Sequence, residues 1–194
     1  MATLLLDSSN TSLSVGVESN GVLLGYISYE SWQSQSEHMI PEIDKLLKKF
    51  NLTRIDISAV VTSIGPGSYT GVRISLTIAK VIALCLDIPV YPVSSLRVLK
   101  DNEKPSICLI NARSNRSYFG VYEGDKIILN DCIKTNDEVL AYIKEHPECS
   151  ICGNASYLGY ENKDTNICLQ MVSLLKSLKE CDNALALKPV YLKD

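Results

Sequence analysis

The sequence predicts an α/β protein whose sheets mix antiparallel and parallel strands. Three observations carry this. Three apolar or alternating runs follow one another within the first 30 residues, joined by turn-forming residues, which makes an antiparallel start. Helical and extended patterns then alternate up to Leu99, as helices laid on a sheet require. A polar stretch ending in proline, Asp101 to Pro105, precedes a second set of extended runs, so two lobes are expected, 1–100 and 101–194.

In order, Thr3 to Leu6 is a short apolar run ending in Asp7 and reads as a buried strand. Ser12 to Val17 alternates, Asn20-Gly21 tolerates the positive φ of a tight turn, and Val22 to Tyr29 returns as a third strand. Met39, Ile43, Leu46, Leu47 and Phe50 recur at helical spacing, with Ser34 and Glu37 spaced as a capping box and Pro41 near the start. Ile57 to Thr62 reads as a strand. The run Gly65-Pro66-Gly67-Ser68-Tyr69-Thr70-Gly71 then punctuates the chain, with Thr70 as the expected cap of a helix over 71–86.

That helix is apolar nearly all round. Arg73, Thr77 and Lys80 form one narrow polar stripe, and Gly71, Ser75 and Ala79 a stripe of small residues. Such a helix is expected to be buried on most sides, by its own chain or by a partner. Ile88 to Val93 is a fifth strand and Ser94 to Leu99 a short helix. In the second lobe, strands are expected over 106–110, 118–122 and 126–133, followed by a helix opened by the Thr135/Glu138 capping box. A short strand over 149–152, a helix over 167–178 and an extended tail from Pro189 complete the reading.

Composition narrows the classes. Of 194 residues, 46% are hydrophobic and 21% charged, which excludes wholesale disorder. Nineteen basic against 22 acidic side chains give a net charge of -3, so the totals imply no strongly basic nucleic-acid surface. The first residues lack a basic leader, no window offers the ~20 apolar residues of a membrane span, and the 7 cysteines are scattered. A cytoplasmic protein with free thiols and no membrane association is expected.

Candidate chemistry is sparse. Asp7, Ser8 and Ser9 at the end of the first strand could hold an ion or cradle a phosphate, or could satisfy a turn. Gly65 and Gly67 could present backbone N–H groups to an anion, though no Lys-Ser/Thr follows as in a phosphate loop; a shaped turn is the plainer reading. Arg73 could pair with an anion or with a partner's carboxylate. His38 and His146 are the two histidines and read as surface residues, and Cys149-x-x-Cys152 reads as core cysteines on a short strand. No catalytic or metal-ligating constellation is found.

The segments Leu6-Asp7-Ser8-Ser9, His38-Met39-Ile40-Pro41-Glu42-Ile43-Asp44 and, most specifically, Gly65 to Ile74 resemble the bacterial TsaB (YeaZ) family. Ala79-Lys80, Ile88-Pro89-Val90 and Val93-Ser94-Ser95-Leu96 continue the resemblance. Beyond residue 100 it weakens: Asn111-Ala112-Arg113 and Tyr118 resemble the family's Asp-Ala-Arg-Arg-x-x-x-Tyr, with Asn111 for the acid and Ser114 for the second arginine. Pro189-x-Tyr191-Leu192 resembles the family's closing motif.

The resemblance implies an actin/hexokinase-like, ribonuclease-H-like fold of two lobes, the second reduced. It implies a non-catalytic subunit of the machinery that makes threonylcarbamoyladenosine in tRNA next to the anticodon. Its partners would be the paralogue TsaD, which performs the transfer, and the ATPase TsaE; tRNA would be met through the complex. A homodimer through the same helices is the competing assembly. No cofactor is then required by this chain, Mg-ATP being used by the partners. The family's interface carries over to Met39, Ile43, Leu46 and Leu47 on the first helix, and to Val72, Arg73, Ser75, Leu76, Ala79 and Ile82 on the second. Where the paralogue has two metal-binding histidines, this sequence has Ser95 and Leu99 by motif position, which cannot replace imidazoles on a metal. The alternative is a small ATP-dependent kinase or ATPase of the same fold, using Asp7 and the Gly65–Gly67 loop.

Overall fold

In the computed structural model, which describes residues 1–192, the chain forms two open mixed sheets. β1 (Ala2–Asp7), β2 (Ser12–Ser19) and β3 (Val22–Glu30) pair antiparallel. Asn20 and Gly21 take φ of 53° and 80° in the turn between β2 and β3, the left-handed values that a tight hairpin requires. α1 (Gln35–Lys49) crosses to β4 (Ile57–Ser63), parallel to β1. α2 (Tyr69–Leu86) crosses to β5 (Val90–Val93), parallel to β4. The order is β3-β2-β1-β4-β5.

The second sheet repeats this plan. β6 (Ser106–Arg113), β7 (Arg116–Glu123) and β8 (Lys126–Thr135) are antiparallel, and α3 (Asn136–Glu145) crosses to β9 (Ser150–Gly153), parallel to β6. Its order, β8-β7-β6-β9, matches the first four strands of the first sheet in sequence and direction. This topological repeat is not visible as a sequence repeat.

β1 is buried on both faces, which explains its unbroken apolar run. Leu4 and Leu6 join Met39, Ile43, Leu46 and Ala79 under α1 and α2. Leu5 faces the other way, with Val61 and Val93, against Cys168, Met171 and Leu174 of α4 (Ile167–Leu174). A Cβ at Gly16 would run into the Cys168 side chain, so glycine there sets how closely α4 lies on β2. The stretch expected to belong wholly to a C-terminal lobe, 101–194, thus forms the second sheet and then returns to cover the first. The open apolar face of the first sheet is the physical reason. Asp101 ties the connection: Lys163 holds its carboxyl at a pKa of about 2, and Ser150 donates to it at 3.0 Å.

Local expectations are corrected at several points. The Thr135/Glu138 capping box forms, but Ser34 makes no side-chain cap and instead contacts Ser31. α2 is capped by Ser68, whose Oγ accepts from Gly71 N at 3.2 Å, not by Thr70. Residues Arg97–Leu99 form one 3-10 turn instead of a short α-helix, and α4 ends at Leu174 before a 3-10 turn. α2 is also long and apolar enough to cross a membrane by length and composition alone, contrary to the sequence reading. Its small-residue face packs on the sheet through Gly71, Ser75, Ala79 and Ala83. Of the expected tail, Lys193 and Asp194 lie outside the described residues.

Candidate docking face and interlobe cleft

The glycine-rich segment between β4 and α2 is built against the β1–β2 loop. Ser68 N donates to Ser9 O at 2.7 Å. Ser8 Oγ donates to Gly71 O at 2.8 Å and accepts from Ser75 N at 3.2 Å. A Cβ on Gly67 would collide with the Ser9 carbonyl, and one on Gly71 with the Ser8 carbonyl. Glycine is therefore required at both positions because two backbones touch there. Gly65 has φ of 103° and lies against the Val190 carbonyl. Its N–H donates to Ser95 Oγ at 3.1 Å, and its carbonyl accepts from Ser95 N at 2.9 Å. The sequence motif is thus used to join two loops, and the site residues Ser8, Ser9, Gly65 and Gly67 are engaged in that joint.

The C-terminal tail completes the joint. Val190 N donates to Ile64 O at 2.7 Å, and Lys80 Nζ donates to Leu185 O at 3.1 Å. The Tyr191 ring stacks on Tyr69 with centroids 5.1 Å apart. Arg73 lies 4.0 Å over the Tyr69 ring and donates from Nε to Tyr191 Oη at 2.7 Å. Two motifs far apart in sequence, Gly65 to Ile74 and Pro189 to Leu192, are one structure here. Arg73 is exposed, and its terminal guanidinium nitrogens are unpaired among the described residues.

The predicted interface residues divide by burial. Met39, Ile43, Leu46, Val72, Ser75, Leu76 and Ala79 are buried in this chain's own core. They hold α1 and α2 to the sheet and are not available to a partner, which corrects the expectation. Leu47 and Ile82 are half-buried and Arg73 is exposed. The surface that α1 and α2 do present was missed: Ile40, Val81 and Leu84 are 52%, 54% and 65% exposed, and Cys85 is exposed beside them. Ile40, Val81 and Cys85, with Leu47 and Ile82, edge a groove of about 290 Å³ between the two helices, and Leu84 lies further round α2, toward Pro89 and Leu185. Because α2 is apolar on all but one narrow stripe, its periodicity could not separate the inward face from the outward one.

Between the sheets lies a polar cleft. Asp7 closes its floor, fully buried, and burial raises the carboxyl pKa above the ordinary value, with the Ser63 and Ser9 hydroxyls acting in the opposite direction. Asp7 Oδ1 has no hydrogen-bond partner. Asn10, Asn154, Lys163 and Thr165 line the space above it. Ser95 and Leu99 are both taken up by the structure, Ser95 in the Gly65 joint and Leu99 in the core beside Cys108 and Cys152. Cys149 does not join Cys152; it lies by Glu148 on the loop before β9. Among the described residues no group of three or more His, Cys, Asp or Glu is arranged to hold a metal. His38 meets the Tyr29 ring, and His146 contacts Glu148.

Comparison with known proteins places this architecture. The family model described as TsaD, tRNA N6-adenosine threonylcarbamoyltransferase, matches residues 29–179. TsaB of Bacillus subtilis, a tRNA threonylcarbamoyladenosine biosynthesis protein, is 35% identical over 146 residues, 73% of this chain and 63% of that protein. The chain belongs to this family, in its TsaB/YeaZ branch. TsaB of Buchnera aphidicola from Schizaphis graminum is 31% identical over 132 residues, 65% of this chain and 62% of that one. The chain therefore spans a little under two thirds of the length of these TsaB relatives. YeaZ from Pseudomonas aeruginosa superposes with a TM-score of 0.80 at 20% identity, covering 98% of this chain and 99% of that one. The fold is thus shared over nearly the whole chain.

Proposed function

We propose that this TsaB-branch protein is a non-catalytic accessory subunit in threonylcarbamoyladenosine formation on tRNA, docking the transferase paralogue TsaD through the outer face of α1 and α2. The observation that carries this is the exposed apolar surface of the two helices: Ile40, Val81 and Cys85 flank the interhelical groove, and Leu84 is exposed further round α2. Apolar side chains in that number on adjacent helices are stabilised by burial against a partner. Arg73, held by Tyr69 and Tyr191, would meet a carboxylate on the partner at the end of that surface. In this reading the actin-like fold serves as a rigid support, with a first lobe over 1–100 and a reduced second lobe over 101–194. The TsaE ATPase joins the complex, tRNA is met through it, and the setting is the cytoplasm. A second copy of this chain would compete for the same face. The chain needs no cofactor of its own, Mg-ATP being consumed by its partners.

Reconstitution with the cognate TsaD and TsaE, reading threonylcarbamoyladenosine on cognate tRNA, tests the proposal. Leu84→Arg is expected to abolish TsaD binding and activity while leaving the thermal midpoint unchanged, since Leu84 is 65% exposed. Full activity without this chain, or with Leu84→Arg, would sink the reading.

The alternative of an ATP-dependent kinase or ATPase draws on one observation, the unpartnered Oδ1 of buried Asp7. It is disfavoured because the Gly65–Gly71 segment spends its close approaches on the Ser8 and Ser9 carbonyls. Mg-ATP turnover by the isolated chain, lost in Asp7→Ala, would restore it.

A further inference from the structure

The mouth of the interlobe cleft carries a second cavity, distinct in character from the acidic floor at Asp7. It measures about 480 Å³ and lies between the start of α2 and the β6–β7 hairpin, a size that suits a small organic ligand. Among the described residues its only charged lining residue is Arg113, and no aspartate or glutamate lines it. In a chain of net charge -3, this is a locally cationic wall. Arg113 makes no ion pair among the described residues, and its side chain is exposed.

Two aromatic rings share the cavity with it. Trp32, 46% exposed, comes from the first lobe. Tyr118 comes from β7 of the second. Tyr69 also lines the space, but its ring is already engaged by Arg73 and Tyr191. What Tyr69 and Thr70 offer is backbone: their N–H groups open α2 and find no acceptor among the described residues. Asn10 and Asn154 add amides on the two opposing walls.

The hairpin places Arg113 at a cost. Ser114 and Asn115 form the turn with φ of 49° and 58°, as a tight hairpin demands, but Arg113 before them is also left-handed, at 65°. The pairing register shifts between Asn111 and Arg113. Glycine would hold that conformation without strain, so a large cationic side chain there is a departure of the kind that clusters at binding sites.

We propose that this cavity binds an unpaired nucleotide of an RNA strand, its base against Trp32 or Tyr118 and its phosphate on the Arg113 guanidinium and the Tyr69 and Thr70 N–H groups. Stacking on aromatic rings tolerates any base, and one guanidinium with two backbone donors matches one phosphate. Electrostatics of this kind gives weak binding by the chain alone and stronger binding when other surfaces hold the same strand. The proposal takes only the identity of the strand from the functional reading above; the cavity, its charge and its rings stand without it.

Trp32 is the sole tryptophan, so its emission reports the site directly. The purified full chain is titrated at low salt with a ten-nucleotide single-stranded RNA, and separately with AMP. A saturable change in Trp32 emission with the RNA is expected. Arg113→Ala should weaken binding about tenfold and reduce the salt dependence by about one ion released. Asn111→Asp, which sets an acid beside Arg113, should weaken it as well, and Lys144→Ala on α3 should not. The proposal is overturned if the emission change does not saturate, if neither Arg113→Ala nor Asn111→Asp alters it, or if AMP binds as tightly as the strand. None of these readings involves TsaD, so loss of docking in Leu84→Arg leaves the outcome unaffected.

Discussion

The two sheets have the same plan and different coverings. β3-β2-β1-β4 and β8-β7-β6-β9 agree in order and direction, yet the first sheet carries α1 and α2 on one face and α4 on the other, while the second carries α3 alone. The remaining face of the second sheet, with Cys108, Ile110, Tyr122 and Cys152, is closed by Leu96 and Leu99 from the first lobe. The outward residues differ accordingly. α2 presents Val81, Leu84 and Cys85, whereas α3 presents Asp137, Glu138, Lys144 and Glu145. A strand plan therefore does not decide which lobe can dock a partner. The helix laid on it decides which lobe exposes an apolar face, and here that face belongs to the first lobe.

The sharpest way to break the comparison is at the glycines. Gly71→Ala drives a methyl group into the Ser8 backbone carbonyl. Urea denaturation is expected to show a loss of about 3 kcal/mol or more, since backbone cannot move aside cheaply. Gly124→Ala in the second lobe, where a Cβ meets nothing within 4 Å but φ is 54°, should cost only about 1 kcal/mol. Equal losses would mean that the joint at Ser8 is looser than its contacts imply.

Next in size is docking. Leu84→Arg on α2 should weaken TsaD binding by at least about tenfold, and Glu145→Arg on α3 should leave it unchanged; pull-down or calorimetry with the two variants decides. Smaller again is the tail. Tyr191→Ala removes the stack on Tyr69 and the hydrogen bond from Arg73, and should lower stability by about 1 kcal/mol. Tyr191→Phe should retain most of it.

The finest test concerns Asp7. Its pKa is raised in the folded chain by burial, so the ionised form is disfavoured there relative to the unfolded chain. Stability from this group is then greatest below the unfolded pKa, declines as pH rises through the folded value, and stays reduced above it. Asp7→Asn should raise the thermal midpoint at pH 8 and change it little at pH 3. A destabilised variant at pH 8 would show that the carboxylate is held by something other than the groups around it.

Much of the fold was legible because it depends on near neighbours. The Asn20-Gly21 turn, the alternation in β2 and the Thr135/Glu138 box each involve residues a few positions apart. The Ser34/Glu37 box had the same spacing and failed, because Ser34 found Ser31 instead. The inward and outward sides of the two helices were partly misread for a related reason. Helical spacing marks which residues share a face but not whether that face meets the sheet or solvent, and Met39, Leu76 and Ala79 proved to be core.

By itself the sequence determined the order of elements, the α/β class and membership of the TsaB/YeaZ branch. These rest on local backbone preferences and on a motif, Gly65 to Ile74, whose glycines have no substitutes. Only the tertiary structure decided which side of α2 faces outward, that α4 returns to the first sheet, that Tyr191 closes on Arg73, and that Trp32 and Arg113 share one cavity. Each of these is a contact between segments far apart in the chain. Such contacts are selected by which apolar faces remain uncovered after the local elements have formed.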